Sequence, residues 1–193
     1  MSKITVFESV TVDGVMQGPG RSDEDTRGGF THGGWAEGYQ DEVSMKYAGE
    51  GMSAQQGLLF GHRTYDDVLG HWTSIGPNPF VDVLLGSDKF VVSHTSDTVL
   101  AYANSELLAG DAVSTVAGLK DRYSRDLMIM GSGQLVRRLH TAGLIDRYTL
   151  LIHPVVLGSG TRLFTDGDRV NLKLERSIPT TTGVTIAEYI VAP

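Results

Sequence analysis

The chain contains no cysteine. That excludes disulfides, thiol nucleophiles and zinc sites built on thiolates, though it leaves the compartment open. Positive charge is scarce too, with 16 Lys and Arg against 23 Asp and Glu and a net charge of −7. Nucleic acid is therefore not an expected partner, since its phosphates need a basic face, and an acidic protein is not drawn to anionic lipid. No apolar run approaches the roughly 20 residues of a spanning helix, so no membrane is expected either. Met1-Ser2-Lys3-Ile4-Thr5 leads into no apolar stretch ending at a small-residue cleavage site. No signal peptide is expected, and the cytoplasm is the expected location. The six histidines show no His-x-x-x-His or similar spacing, so no metal is expected. No internal repeat or low-complexity segment is visible.

What is present is an ordinary globular composition. At 193 residues the chain fits one domain, residues 1–193, able to bury roughly 70% of its unfolded surface. Lys3 to Val10 reads as a strand rich in β-branched and aromatic residues, and Asp13-Gly14 signals the turn after it. Gly14 to Gly38 then holds eight glycines with no period. It reads either as a mobile loop over an active site or as a surface excursion. Tyr39, Val43 and Tyr47 recur four apart and predict the first helix. A strand over Gly57–Phe60 ends at Gly61, and a helix over His62–Leu69 stops at Gly70. Pro77 and Pro79 predict a loop.

Lys89–Val92 is a further strand, ending in Ser93-His94-Thr95. Asp111 can cap a helix reaching about Tyr123, with Val113, Val116 and Leu119 inward. Leu127–Met130 is a short apolar strand running into Gly131-Ser132-Gly133. A helix follows at once, with Leu135, Leu139 and Ala142 recurring at its spacing. Arg147–His153 is another strand and Pro154–Phe164 a loop. Val170–Ser177 and Val184–Val191 alternate as the arms of a hairpin around Thr180–Gly183.

Strands alternating with helices, then a hairpin, predict an α/β fold. Its sheet is mostly parallel with helices on both faces, and an antiparallel hairpin lies at the C-terminus. In such sheets ligands lie outside the carboxyl ends of the strands. Three strands end in polar or glycine-rich tips: Gly61-His62-Arg63-Thr64, Ser93-His94-Thr95 and Gly131-Ser132-Gly133. The last lacks the third glycine of a dinucleotide fingerprint, having Val136 there, and the closing Lys-Ser/Thr of a P-loop. Alone it is either an anion-binding turn or a plain strand-to-helix connection.

The three tips occur together with Ser9-Val10-Thr11-Val12-Asp13-Gly14, Gly33-Gly34-Trp35 and Phe60-Gly61-His62-Arg63-Thr64-Tyr65-Asp66. Asp146-Arg147-Tyr148 leads to the most specific block, His153-Pro154-Val155-Val156-Leu157-Gly158-Ser159-Gly160-Thr161-Arg162-Leu163-Phe164. In this order they resemble the dihydrofolate reductase-like family, a three-layer fold. More closely, they resemble the reductase domain of riboflavin biosynthesis in its stand-alone bacterial form. The resemblance implies a hydride taken from NADPH. Arg63 and Thr64, beside Gly61 and His62, would face cofactor phosphates. Ser93 and His94 would lie near the adenosine 2′-phosphate, and Gly131, Ser132, Gly133, Gln134 and Leu135 would wrap the pyrophosphate. Reductases of this family pair as dimers, so a homodimer is implied. The zinc deaminase domain that often accompanies the riboflavin enzyme needs cysteines, and only the reductase half is expected.

Several residues keep two readings. Arg63 serves the cofactor or pairs with Asp66 or Asp67 at helical spacing. Trp35 is a lid over substrate or a packing anchor. Asp13 approaches the reacting end of the site or holds its turn. Asp41 and Glu42 lie where folate reductases carry the acid that positions the pterin, and the surrounding residues assign neither; folate is not the expected substrate. His153 reads as a satisfied structural histidine, and Arg137 and Arg138 as a solvated face. The leading reading is an NADPH-dependent reductase of a small pteridine- or pyrimidine-like heterocycle. It would resemble 5-amino-6-(5-phosphoribosylamino)uracil reductase or dihydrofolate reductase, with substrate between the strand tips and the Gly14–Gly38 loop. Its rival is a non-catalytic nucleotide-binding or regulatory module that keeps the fold.

Overall fold

Strand β1 (Ile4–Thr11) shows the period-two alternation of its sequence: Ile4, Val6, Glu8 and Val10 are buried, whereas Thr5, Phe7 and Ser9 are half-buried. It runs through both of the compact units into which contacts divide the computed structural model, which describes residues 1–53 and 57–192. One unit comprises Met1–Thr5 and Ala48–Asp146, the other Val6–Tyr47 and Arg147–Pro193. Helix α1 (Glu42–Ser53) likewise begins in the second and ends in the first.

The first unit holds β2 (Gly57–Gly61), α2 (His62–Ile75), α3 (Pro79–Gly86), β3 (Lys89–Ser93), β4 (Ser105–Ala109), α4 (Ala112–Arg122), β5 (Leu127–Met130) and α5 (Gly133–Thr141). Its strands pair in parallel in the order β4-β3-β2-β5. The start of β1 joins through Leu127 N–H donating to Lys3 O at 2.8 Å. The crossover from β2 to β3 travels toward the β4 edge, and the one from β4 to β5 travels back. With right-handed crossovers, α2 and α3 lie on one face and α4 on the other. Asp146 closes this unit, accepting from Ile4 N–H and Lys120 Nζ, each at 2.7 Å.

The second unit holds the remainder of β1, then β6 (Arg147–His153), β7 (Leu172–Pro179) and β8 (Thr185–Val191), in the order β1-β6-β8-β7. β8 is antiparallel to both β6 and β7, which gives the hairpin expected at the C-terminus. β7 is the outermost strand. Its residues Lys173 to Ser177 are all exposed, and its register shifts between Leu174 and Arg176.

Four expectations of the sequence are corrected. α2 passes through Gly70 and ends at Ile75, because burial of Tyr65 and Leu69 outweighs the cost of one interior glycine. The Pro77–Pro79 stretch is not all loop. Pro79 occupies the first turn of α3, where its missing N–H costs nothing, and Asn78 Oδ1 accepts from Phe80 and Val81 N–H at 3.0 and 3.1 Å. β4, a short edge strand on which only Leu108 is buried, carries no strong β signal and is not expected from the sequence. Inward positions also differ: Ala112 is buried where Val113 is half-buried, and on α5 Val136 joins the buried Leu135 and Leu139 while Ala142, just past its end, is exposed. Among the described residues, no helix is long and apolar enough to cross a membrane.

Candidate active site

Parallel pairing sets Gly61 beside Val92 and Leu59 beside Ile129. The carboxyl ends of β3, β2 and β5 are therefore neighbours, and the three expected tips lie along one edge of the first unit. From β2 the chain enters α2 directly at His62, with Gly61 as a cap that offers no side chain. From β5 it turns through Gly131 and Ser132, both left-handed at φ 59° and 58°, and α5 starts without a side-chain cap. Other α-helices are capped at their starts: Asp111 Oδ1 accepts from Ser114 N–H at 3.0 Å on α4, and Asn78 serves α3. The two starts left open follow adjacent strands, and orphan N–H groups at a helix start carry partial positive charge.

A direct bond links these two starts. Gly61 N–H donates to Ser132 Oγ at 3.0 Å. A Cβ on Gly131 would stand 3.1 Å from Thr64 Cγ2, so the turn lies tight against the first turn of α2. Gly61, Thr64, Gly131, Ser132 and Gly133 are thus brought together. His62 pairs with Asp66 at 3.1 Å. Arg63 is exposed. Ser93 Oγ lies 2.7 Å from Thr98 Oγ1 and 3.2 Å from Thr95 Oγ1, in a cluster of hydroxyls after β3, and His94 is exposed. Gln134 is exposed, whereas Leu135 is buried and can meet a ligand only through its backbone. Two open helix starts, hydroxyls and a solvent-facing guanidinium suit a phosphate-bearing ligand.

In the second unit, the two aspartates considered for catalysis accept hydrogen bonds from backbone. Asp13 accepts from Thr11 Oγ1 at 2.6 Å and from Leu157 and Gly158 N–H at 3.2 and 2.9 Å, while Arg162 Nε donates to its carbonyl at 2.9 Å. The Thr11 hydroxyl above all, with these backbone donors, holds its carboxyl down at about 2. Asp41 caps α1 through Ser44 N–H at 2.8 Å and takes Thr181 N–H and Oγ1 at 2.6 and 2.7 Å. The Ser44 N–H first, and then Thr181, hold its carboxyl well below the usual range.

Gly14–Gly38 is an internally bonded loop built on Gln17 and Trp35. Gln17 Nε2 donates to Asp25 and Arg27 carbonyls, and its Oε1 accepts from Thr161 N–H at 2.9 Å. Trp35 Nε1 donates to Gln17 O at 2.7 Å, and its ring packs with Val15 and Phe30. Gly160 (φ 109°) meets the same cluster so closely that a Cβ would lie 2.7 Å from Phe30 Cε2. His153 is 5% exposed and receives the ring edges of Trp35 and Tyr39, with centroids at 5.2 and 5.4 Å. Neither of its ring nitrogens has a hydrogen-bond partner, and burial pushes its pKa down to about 4. It is neutral, and Trp35 and Tyr39 pack directly on it, but it is not the satisfied histidine expected.

Sequence reasoning missed Glu8. The residue is 4% exposed on β1 and its Oε2 has no hydrogen-bond partner. Burial, and then the Glu24 carboxylate, push its carboxyl up to about 8. The signal was a Glu in the inward phase of an alternating strand. Among the described residues, no three His, Cys, Asp or Glu side chains are placed to hold a metal ion.

The family model for the RibD C-terminal domain matches residues 2–186. The uncharacterized protein YyaP of Bacillus subtilis (strain 168) is 29% identical over 139 residues, 68% of this chain and 72% of that protein. A crystal structure from Shewanella sp. PV-4, described as a riboflavin biosynthesis protein, superposes with a TM-score of 0.73 at 21% identity over 99% of both chains. A pyrimidine reductase-like protein from Corynebacterium diphtheriae gives 0.67 at 11% identity, over 100% of this chain and 92% of that one. Dihydrofolate reductase from Enterococcus faecalis, complexed with NADP(H) and RAB-propyl, gives 0.64 at 12% identity, over 99% and 97%. At these identities the structural likenesses establish a dihydrofolate reductase-like fold.

Proposed function

The chain belongs to the RibD C-terminal domain family, a reductase-type family, and from that premise we propose that it is an NADPH-dependent reductase of a small pteridine- or pyrimidine-like heterocycle. The observation that carries the proposal is the bond from Gly61 N–H to Ser132 Oγ, which ties together two α-helix starts without side-chain caps. Backbone N–H groups of both starts would hold the pyrophosphate, with Gly131 and Gly133 letting the backbone come close. Arg63, exposed beside them, would take a further phosphate, and Ser93 and His94 are proposed for the 2′-phosphate. NADPH, when bound, supplies the hydride. The chain's own part is to orient the cofactor, exclude water and place a proton.

The proposal extends to a single-domain, cytoplasmic homodimer, and light scattering tests the pairing. Fluorescence titration with NADPH and NADH tests the cofactor, and absorbance then follows oxidation across a panel of pteridines and pyrimidines. Failure to bind either nucleotide overturns the enzyme reading. The commitment of Asp13 and Asp41 to backbone favours a second reading, a nucleotide-binding module without turnover. Binding with no oxidation across the panel is the outcome that would select it.

A further inference from the structure

Parallel neighbours must be joined by a chain that runs back along the sheet, and a helix usually makes that return. Between β3 and β4 no helix does, since residues 94–104 contain neither helix nor strand. The steps from β2 to β3 and from β3 to β4 go toward the same edge. Right-handed connections therefore put this crossover on the face that carries α2. The contacts agree. Tyr65, in the first turn of α2, is 0% exposed, and its Oη accepts from Tyr102 N–H at 3.0 Å and lies 3.0 Å from Ser105 Oγ. The Tyr102 ring meets that of Tyr65 edge-on, with centroids 5.7 Å apart. Its hydroxyl lies over Gly70, 3.8 Å from where a Cβ would stand. A return without helical hydrogen bonds is thus tied to α2 by a side-chain hydroxyl.

Hydroxyls also hold the end of the crossover nearest β3. Thr98 Oγ1 donates to Thr95 O at 3.0 Å, so it accepts from Ser93 Oγ and Thr95 Oγ1, at 2.7 and 2.9 Å. This cluster follows the tip of β3, which lies beside the tip of β2 because Val92 is paired with Gly61. Tyr65 fixes the segment leaving one tip to the helix leaving the other. We propose that Tyr65 is a positioning residue of the proposed cofactor site. Its hydroxyl sets the separation between the open start of α2 and the hydroxyl cluster, and thereby the preference for NADPH over NADH. The inference rests on the reductase reading and adds a specificity determinant to it. The pyrophosphate, common to both nucleotides, is assigned to the helix starts. Only the 2′-phosphate is assigned to the crossover, so loosening the crossover acts on NADPH and spares NADH. Buried as it is, Tyr65 works through the crossover and not on the nucleotide.

The test titrates NADPH and NADH into wild type and Tyr65→Phe at fixed ionic strength, following cofactor fluorescence. The variant keeps the ring and removes the hydroxyl. Its Kd for NADPH should rise roughly 3- to 10-fold, the worth of one hydrogen bond, with the Kd for NADH little changed. A merely structural tyrosine would weaken both nucleotides alike or neither. Ser93→Ala supplies a second readout. In that background Tyr65→Phe should change the ratio of the two Kd values by less than it does in wild type. Ser105→Ala removes the other partner of the Tyr65 hydroxyl and should shift the ratio in the same direction, by less. It decides alone where Tyr65→Phe does not fold. An unchanged ratio in the deciding variant, or full additivity with Ser93→Ala, overturns the proposal and leaves the reductase reading standing. Wild type that binds neither nucleotide overturns the reductase reading and the proposal with it.

Discussion

Gly61 and Ser132 belong to different strand–helix connections, yet the N–H of one donates to the hydroxyl of the other at 3.0 Å. The hydroxyl fixes the separation of two open helix starts. Ser132→Gly tolerates the left-handed backbone at φ 58° and removes the hydroxymethyl group that carries the bond. NADPH binding should weaken by roughly 3- to 10-fold, the worth of one such bond. Fluorescence titration measures it, and an unchanged Kd would detach the bond from cofactor binding.

Arg63 is exposed at the first turn of α2, where Asp66 pairs with His62. If its guanidinium meets the 2′-phosphate, Arg63→Ala weakens NADPH more than NADH. Equal losses would move its contact to the pyrophosphate that both nucleotides share. Paired titrations at fixed ionic strength separate the two.

Gly160 and Gly158 sit in one loop at φ 109° and 72°, but only Gly160 is crowded. Gly160→Ala would bring a Cβ within 2.9 Å of Val15 Cγ1 as well as onto the Phe30 ring. It should cost about 2 to 4 kcal/mol of stability, combining backbone strain with overpacking. Gly158→Ala, with open space around it, should cost about 1 kcal/mol. Urea denaturation of the two variants checks the difference.

His153 should make the protein acid-sensitive. Its folded pKa of about 4 lies below the ordinary 6.5. The unfolded chain therefore binds the proton first, and stability is lost as pH falls from 6.5 toward 4. Between pH 7 and pH 5 this group alone should remove about 2 kcal/mol. Glu8 acts the other way, since its raised pKa favours the folded state as pH falls. His153→Phe, which keeps the ring that Trp35 and Tyr39 pack upon, isolates the histidine. Its unfolding free energy should lose about 2 kcal/mol less than wild type over that interval.

The elements most legible in the sequence were those carried by local chemistry. Asp111 does cap α4, and the apolar run Leu127–Met130 does form a buried strand before the glycine turn. The order of elements was enough to predict a largely parallel sheet with a closing hairpin. Local rules failed where tertiary contact decides. Pro79 reads as a breaker until Asn78 is seen capping the helix that it begins. Asp13 and Asp41 advertise carboxylates, but their ties to Gly158 and Thr181 join segments far apart in the chain. Glu8 shows the opposite failure. The alternation of Ile4, Val6, Glu8 and Val10 puts an acid in the inward phase, but that its Oε2 is buried without a hydrogen-bond partner is a property of the assembled unit.

The outermost strand has a consequence of its own. A straight, apolar rim offers its unpaired N–H and C=O groups to any extended chain that drifts past, and amyloid-like stacking grows in that way. β7 meets such a chain with Lys173, Glu175 and Arg176 exposed and a register shift in the middle. An incoming strand would lose its hydrogen-bond ladder at the shift and meet charge on either side. Concentrated solutions of this protein should therefore resist fibril growth from that rim, and straightening it while replacing Arg176 would remove the guard.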